Sequence, residues 1–419
     1  MSKLEELIKE LCPNGVEYKS LKEVTEFRAG QSFPVNEQGG VGGKYPFYKV
    51  ADMNNSITYM KAAQNYISEE TAQKLKCKPA PKGTVIFPKV GATMGTNKKR
   101  ILICDSCYDN NIMGVIAKKV DASYLYYVFG GITLLDFANG TGAVPSLNKT
   151  KLEKYRIPVP PIPVQEEIVR ILDSFTELTA ELAAELAARK KQYEYYRNAL
   201  LNNHTLQSNL CSISELGKWS GGKTPSMERK EFWTNGTIPW ISSKDMKEPT
   251  LSDTEDHISE QAVSEASMTI YPKHCIAIVT RSGILKHTLP VSYVPFATTV
   301  NQDIKVLVPN ERVLPRFAYH LLQTYSDDIR AKTKKQGGTV DSLDFQAVLS
   351  YKVPVPPKDV QERLIQVLDN FDSICSDLKI GLPAEIEARK KQYEFYRDKL
   401  LSFKETPTYE QKKEISKTE

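Results

Sequence analysis

Metal and redox chemistry find little material in this chain. Its five histidines, His204, His257, His274, His287 and His320, form no HExxH motif and no local cluster. The seven cysteines are an odd, scattered set, as expected of reduced thiols rather than a disulfide framework. Cys104 and Cys107 form a CxxC, but no second pair with zinc-finger spacing accompanies it. Long apolar runs are also missing, since no window approaches the roughly 18 residues of a membrane span. The opening MSKLEELIKELCPNG spreads its charges evenly and has no apolar export core. These absences predict a cytoplasmic protein without a metal site or a membrane partner.

What the chain does have, it has twice. Residues 157–175 read IPVPPIPVQEEIVRILDSF and residues 353–371 read VPVPPKDVQERLIQVLDNF; ARKKQYEYYR (188–197) returns as ARKKQYEFYR (388–397). Each copy follows about 150 residues that share little with their counterpart. A repeated connector joining two divergent modules suits a pseudo-symmetric protein with two binding heads. At 419 residues, 41% hydrophobic and 26% charged, the chain can form several ordinary globular domains.

The repeats and the modules differ in kind. Pro158, Pro160, Pro161 and Pro163 enforce an extended stretch, which then stops. Apolar residues follow at Val164, Ile168, Ile171, Phe175, Leu178 and Leu182, and again at Val360, Leu364, Val367, Phe371, Ile374 and Leu378. This 4-3-4-3-4 spacing is the seam of a coiled coil, and the obvious partner of each copy is the other. The second copy contains Gly381 and Pro383, which predict a break there. The first instead carries a tandem tetrapeptide, Thr179–Leu182 and then Ala183, Ala184, Glu185 and Leu186, a unit of just over one helical turn. Tyr193, Tyr195 and Tyr196, with Tyr393, Phe395 and Tyr396, read as a packed aromatic layer more than as base-stacking residues, and Arg189-Lys190-Lys191 either as a solvated helix face or as a contact to backbone phosphate or a partner subunit.

The modules mix strand and helix signals. TVIFPKVG (84–91), IMGVIAKKV (112–120), CIAIVTRSG (275–283) and DIKVLVP (303–309) read as strands, while 123–138 and 315–325 read as helical or mixed. Pro46-Phe47 and Pro239-Trp240 both precede an Asp-Met pair, Asp52-Met53 and Asp245-Met246. Gly91 matches Gly283, and Ser146-Leu147 matches Ser342-Leu343. The fold class is therefore α+β: two similar mixed domains, each followed by a long coiled-coil helix.

Net charge is +5. Residues 13–156 carry 20 Lys+Arg against 12 Asp+Glu, or +8, whereas 206–352 carry 17 against 16, or +1. The excess suits a polyanion partner for the first module. Loops that bind DNA combine polar or forked donors with glycine. Candidates are Lys89, Lys98, Lys99 and Arg100 in the first module. In the second they are Lys223, Thr224, Ser242, Ser243, Lys244, Arg281, Lys334, Lys335 and Gln336.

With the PVPP-xxxQE leaders, the long helices and the RKKQYExYR ends in place, the chain resembles a type I restriction–modification specificity subunit over nearly its whole length. LIKELCPNGVEYKSLKEV (7–24) fits the usual start of such subunits. The resemblance implies target-recognition domains at 13–156 and 206–352, separated by conserved spacers at 157–205 and 353–402 whose two long helices pack antiparallel as a coiled coil. A short helix at 1–12 and a polar tail at 403–419 complete the chain. It implies double-stranded DNA, two adenine methyltransferase subunits and motor–nuclease subunits as partners. Those subunits would use S-adenosylmethionine, ATP and magnesium, while this chain would hold no cofactor and perform no chemistry. No (D/N)PP(Y/F/W) and no helicase or nuclease motif set appears, and the PP dipeptides lack a preceding Asp or Asn.

Two other readings compete. Gly217–Thr224 satisfies the P-loop formula G-x4-G-K-T, but a short polar SISEL precedes it, Pro225 follows it, and Trp219 would fill the phosphate cradle. A turn presenting Lys223 and Thr224 to DNA, or a plain structural turn, suits the residues better. The remaining alternative is a coiled-coil adaptor with no role on DNA.

Overall fold

The computed structural model describes residues 2–139, 145–202, 210–335, 340–376 and 381–406. The chain divides into two compact units, residues 1–181 with 386–419, and residues 182–385. The long helix Ile162–Leu201 contributes its first half to one unit and its second half to the other. No helix among the described residues is long and apolar enough to cross a membrane.

Unit 1 is built on a five-stranded sheet in the order Thr25–Ala29, Ile112–Ala117, Val85–Pro88, Arg100–Leu102, Tyr59–Met60. Its two central strands are almost wholly buried, as expected of β-branched runs covered on both faces. A three-stranded sheet follows the order Tyr66–Ile67, Tyr45–Tyr48, Cys107–Tyr108. Unit 2 repeats the plan. Its larger sheet runs Gly217–Gly221, Ile304–Pro309, Cys275–Val279, Val291–Val294, and its smaller one Asp256–Ile258, Ile238–Ile241, Thr299–Val300. The two modules share one fold, although their sequences have diverged.

Register makes the correspondence residue by residue. Phe27 pairs with Val115 as Trp219 pairs with Leu307, and Val85 with Val115 as Ile276 with Leu307. The repeated Asp-Met pair proves structural. Asp52 accepts the N–H groups of Lys49 (2.7 Å) and Gln64 (3.3 Å), and Asp245 those of Ser242 (2.8 Å) and Glu255 (2.8 Å). Each buried carboxylate thus ties two loops together, with Met53 or Met246 beneath it in the core. The proposed match of Gly91 with Gly283 shifts by one: Val90 bridges Ser146 and Arg281 bridges Ser342, so Gly91 corresponds to Ser282 and Lys89 to Thr280.

The repeated leaders have a clear physical purpose. Each makes a short antiparallel pair, Arg156–Pro158 with Tyr18–Ser20 and Lys352–Pro354 with Leu210–Ser212. Past the prolines comes a fully buried glutamine. Gln165 donates to Pro160 O (2.7 Å) and accepts the N–H of Asp121 (2.8 Å), which caps helix Ala122–Gly130. Gln361 donates to Pro356 O (2.8 Å) and accepts the N–H of Leu314 (2.9 Å), ahead of helix Pro315–Thr333. One side chain therefore joins the spacer to the first helix of the adjoining module.

Within each unit the spacer segments pack antiparallel. In unit 2, Phe371 lies against Tyr193 and Tyr196 (ring centroids 6.5 and 5.7 Å), and Cys375 further on feels the charges of Lys190 and Arg189. In unit 1, Phe175 stacks on Tyr396 at 5.3 Å, and the Tyr18 hydroxyl, beside Pro158, donates to Phe403 O (3.0 Å). Residues 403–406 are packed here rather than trailing, because Val16 exchanges backbone bonds with Lys404 and Thr406. The second spacer comprises two helices, Lys358–Ser376 and Leu382–Leu400, as its glycine and proline predict.

The seam departs from strict heptads. Val164 and Ile168 are buried, and Ile171, Phe175, Leu178 and Leu182 half-buried, with Leu172 buried beside them. In the second copy Leu364 is buried and Val360 and Phe371 half-buried, but Val367 and Ile374 remain 43% exposed. Leu368 and Cys375 are buried in their place. Helix Lys358–Ser376 packs on Pro315–Thr333 of its own unit as well as on 182–201, so its inward face follows the 3.6-residue period of a globular helix. Leu378 lies outside the described residues. Tyr193, Tyr393 and Tyr396 pack as expected, Tyr196 lies against Phe371 but is 40% exposed, and Tyr195 and Phe395 are 69% and 62% exposed.

Candidate nucleic-acid interface

Three segments meet along one edge of the larger sheet in each unit. The first follows the outer strand. Gly30 lies so close to the backbone of Asp109 that a Cβ would come within 1.9 Å of its carbonyl oxygen, and at Gly222 one would meet Val300 O at 1.7 Å. Only glycine fits, and it presses the next residues, Gln31 or Lys223, onto the neighbouring turn: Gln31 N–H donates to Tyr108 O and Lys223 N–H to Val300 O, both at 3.0 Å. The second segment is that turn, 109–111 or 301–303. The third follows the central strand, 89–91 or 280–282, and is joined by the stretch beginning at Pro145 or Asp341.

This arrangement disposes of the P-loop. Gly217–Gly221 is an antiparallel strand paired with Ile304–Pro309, preceded by a 3-10 turn capped reciprocally by Ser212 and Glu215. No helix follows to aim amides at a phosphate; the Trp219 indole donates to Ile213 O, and the Lys223 ammonium to Ala266 O.

The candidate cations divide sharply. Lys99 is 5% exposed and its ammonium donates to Ile132 O at 2.6 Å. Burial, with the Arg397 charge nearby, pushes it down to about 7. Arg100 spends its guanidinium on Met53 O and Lys99 O. Lys99 is thus buried and Arg100 half-buried, with their donors turned to backbone carbonyls of their own unit. Ser242 is buried on Asp245, and Lys244 is paired with Glu255 and Asp256 at 3.0 and 2.8 Å. Ser243 is half-buried, and Lys98 reaches Asn54. In unit 2 these residues follow strand Ile238–Ile241 of the smaller sheet, whereas in unit 1 Lys98, Lys99 and Arg100 lead into and begin strand Arg100–Leu102 of the larger sheet, away from the turn at 109–111.

The other candidates gather at the shared edge. Lys89 is half-buried near Asp109; burial pulls the ammonium below its usual range and the carboxyl above its own, each partly offset by its polar neighbours. In unit 2 the Thr224 hydroxyl donates to Gln302, and Arg281 lies 3.5 Å from Asp303 with its side chain 62% exposed. Arg281 bridges Ser342, Lys334 pairs with Asp341 at 2.9 Å, and exposed Lys335 donates its backbone N–H to Ser342 O. Gln336 lies outside the described residues. Sequence reasoning overlooked Asn110, Asn111, Asn301 and Gln302. The signal available was a run of polar amides, DNN or NQD, immediately before a strongly apolar strand.

Two units of one fold, presenting the same three segments with different polar residues, define a protein with two recognition heads. The family described as the type I restriction modification DNA specificity domain matches residues 13–189 and 207–388. The specificity subunit of the Escherichia coli type I restriction enzyme EcoR124I/EcoR124II is 42% identical over 308 residues, 72% of this chain and 74% of that one. A putative type I restriction enzyme specificity subunit of Haemophilus influenzae is 28% identical over 403 residues, 93% and 96% of the two chains. The crystal structure of the type I S subunit from M. genitalium superposes with TM-score 0.53 at 16% identity, covering 92% and 96%. A chain from a solved type I restriction–modification assembly gives TM-score 0.58 at 13% identity, covering 93% and 98%. The chain belongs to the type I restriction–modification specificity subunits. Its role is sequence-specific recognition of DNA within such a system.

Proposed function

We propose that each unit reads one half of a two-part DNA target and that the spacer helices set the unread distance between the halves. The observation that carries this reading is the duplicated edge: the scaffold bonds recur position for position, while the exposed side chains on them differ. Two surfaces of one construction with different chemistry suit two different short sequences. The chain itself performs no chemistry; two adenine methyltransferase subunits and motor–nuclease subunits supply it, drawing on S-adenosylmethionine, ATP and magnesium. Lys89 in unit 1, and Lys223, Thr224, Arg281, Lys334 and Lys335 in unit 2, are the expected contacts to phosphate or base.

The test is the methylated motif of cells expressing this chain with its partner subunits. A two-part motif is expected. Exchanging residues 206–352 for another module should change one half and leave the other intact. Purified chain that methylates DNA alone would overturn the non-catalytic reading, and an exchange that alters neither half would overturn the assignment of units to half-sites.

A further inference from the structure

The turn before the long strand of each sheet places an exposed carboxamide at the same point: Asn110 in unit 1 and Gln302 in unit 2. Hydrogen bonds establish the equivalence. Asn111 N–H donates to Asp109 Oδ1 at 2.9 Å, and Asp303 N–H to Asn301 Oδ1 at 3.0 Å. Each is an Asx turn, in which a side chain closes the loop that a backbone carbonyl would otherwise close. The carbonyl one residue past the tip then accepts the N–H of Lys89 or of Thr280, both at 2.8 Å. The tip residue is thus held from both sides with its own side chain outside the turn. Its neighbours differ: Asp109 is half-buried and Asn301 buried, whereas Asn110 and Gln302 are exposed.

The close approach of Gly30 and Gly222 clamps this turn from the adjacent segment. In unit 2 the Thr224 hydroxyl also donates to the Gln302 carbonyl oxygen, which orients the amide plane. A carboxamide offers one acceptor and one donor side by side. That pair matches the N6 amino group and N7 of adenine in the major groove, and each good bidentate contact discriminates by about 5- to 150-fold. An exposed, rigidly mounted amide at the corresponding point of two divergent surfaces is poorly explained by folding, because its side chain holds no core together.

We propose that Asn110 and Gln302 are base-reading residues, each addressing the adenine of an A·T pair in the half-site of its own unit. The inference rests on the half-site reading above, and the experiment separates the two.

The chain is expressed with its partner subunits as wild type, Asn110→Ala and Gln302→Ala, and the methylated motif of each is sequenced. Asn110→Ala should relax one A·T position of one half-site by about 5- to 150-fold, leaving every base of the other half-site unchanged. Gln302→Ala should do the converse. The untouched half-site reports folding within the same molecule. A variant that keeps every base of the motif but binds all duplexes more weakly makes a phosphate contact and overturns the inference, as does relaxation at a G·C pair. A two-part wild-type motif that survives both substitutions overturns this inference alone. A wild type without a two-part motif overturns the half-site reading and the inference with it.

Discussion

The imidazole Nε2 of His320 lies 2.7 Å from a carboxylate oxygen of Asp369, inside the junction between the second module and its spacer helix. A carboxylate only accepts, so the ring donates at Nε2 and its Nδ1 accepts from the Tyr193 hydroxyl at 3.2 Å. Arg316 pairs with the same Asp369. Unit 1 makes the corresponding junction with a phenol, Tyr127 donating to Asp173. The Asp–His–Tyr chain has the composition of a catalytic relay, but the His320 side chain is wholly buried, so it fastens a helix and meets no substrate.

This junction makes unit 2 sensitive to acid. Burial lowers the His320 pKa from 6.5, against the opposing pull of Asp369. Asp369 in turn is held below 3.8, because His320 and Arg316 outweigh the effect of its own burial. A depressed pKa contributes stability that is fully present above the unfolded value and is lost as pH falls through the folded one. His320 therefore weakens unit 2 first, below about pH 6.5, and Asp369 adds to the loss below about pH 4. In His320→Gln, thermal unfolding between pH 7 and 5 should lose most of its pH dependence. At pH 8 it should be less stable than wild type by about 1 kcal/mol, from an imperfect replacement hydrogen bond. An unchanged pH profile would show that His320 does not titrate in this window.

Gln165 and Gln361 fasten each spacer to its module, and Ala at either position strands buried backbone groups. The cost should be about 1–3 kcal/mol, seen as a lower unfolding midpoint. The methylated motif should stay the same, since neither residue faces the edge that carries the base-reading candidates. A changed motif with unchanged stability would refute the fastening role.

Lys99→Met tests the division among the basic residues. The substitution removes a buried ammonium already pushed down to about 7, so the salt dependence of DNA binding should not move. Lys335→Ala should instead reduce the slope of log affinity against log salt by about one counterion, if Lys335 meets a phosphate. Equal effects of the two substitutions would contradict the assignment made from burial.

The tetrapeptide Ala183–Leu186 lies inside an unbroken helix. Deleting it shortens the helix by about 6 Å and turns its end by about 400°, a net rotation of about 40°. One base pair of B-DNA rises about 3.4 Å and turns about 34–36°. Rotations nearly match, and flexing of DNA or helix can absorb the excess translation. Leu182 takes over the position of Leu186, which packs on the core of unit 2. The deletion variant should therefore keep both half-site sequences and shorten the unread spacer by about one base pair. An unchanged spacer, or altered half-site bases, would show that this helix is not the ruler.

Sequence alone determined the duplication, the two-module plan, the main strands and the break in the second spacer, because repetition, periodicity and proline act locally along the chain. It could not separate Lys99 and Arg100 from Lys335, since a basic residue looks the same whether its charge points to water or to a buried carbonyl. It placed the seam of the second spacer on Val367 and Ile374, because a heptad pattern assumes one partner helix and here a second helix packs alongside. For Asn110 and Gln302 it offered only a polar run ahead of an apolar strand, which does not tell the tip of the turn from its neighbours. Their equivalence depends on which strands pair, in what register, and on a glycine 80 residues away in each module pressing against the same turn. Those relations arise only when the sheets close, so tertiary structure decided which polar residues are scaffold and which face outward.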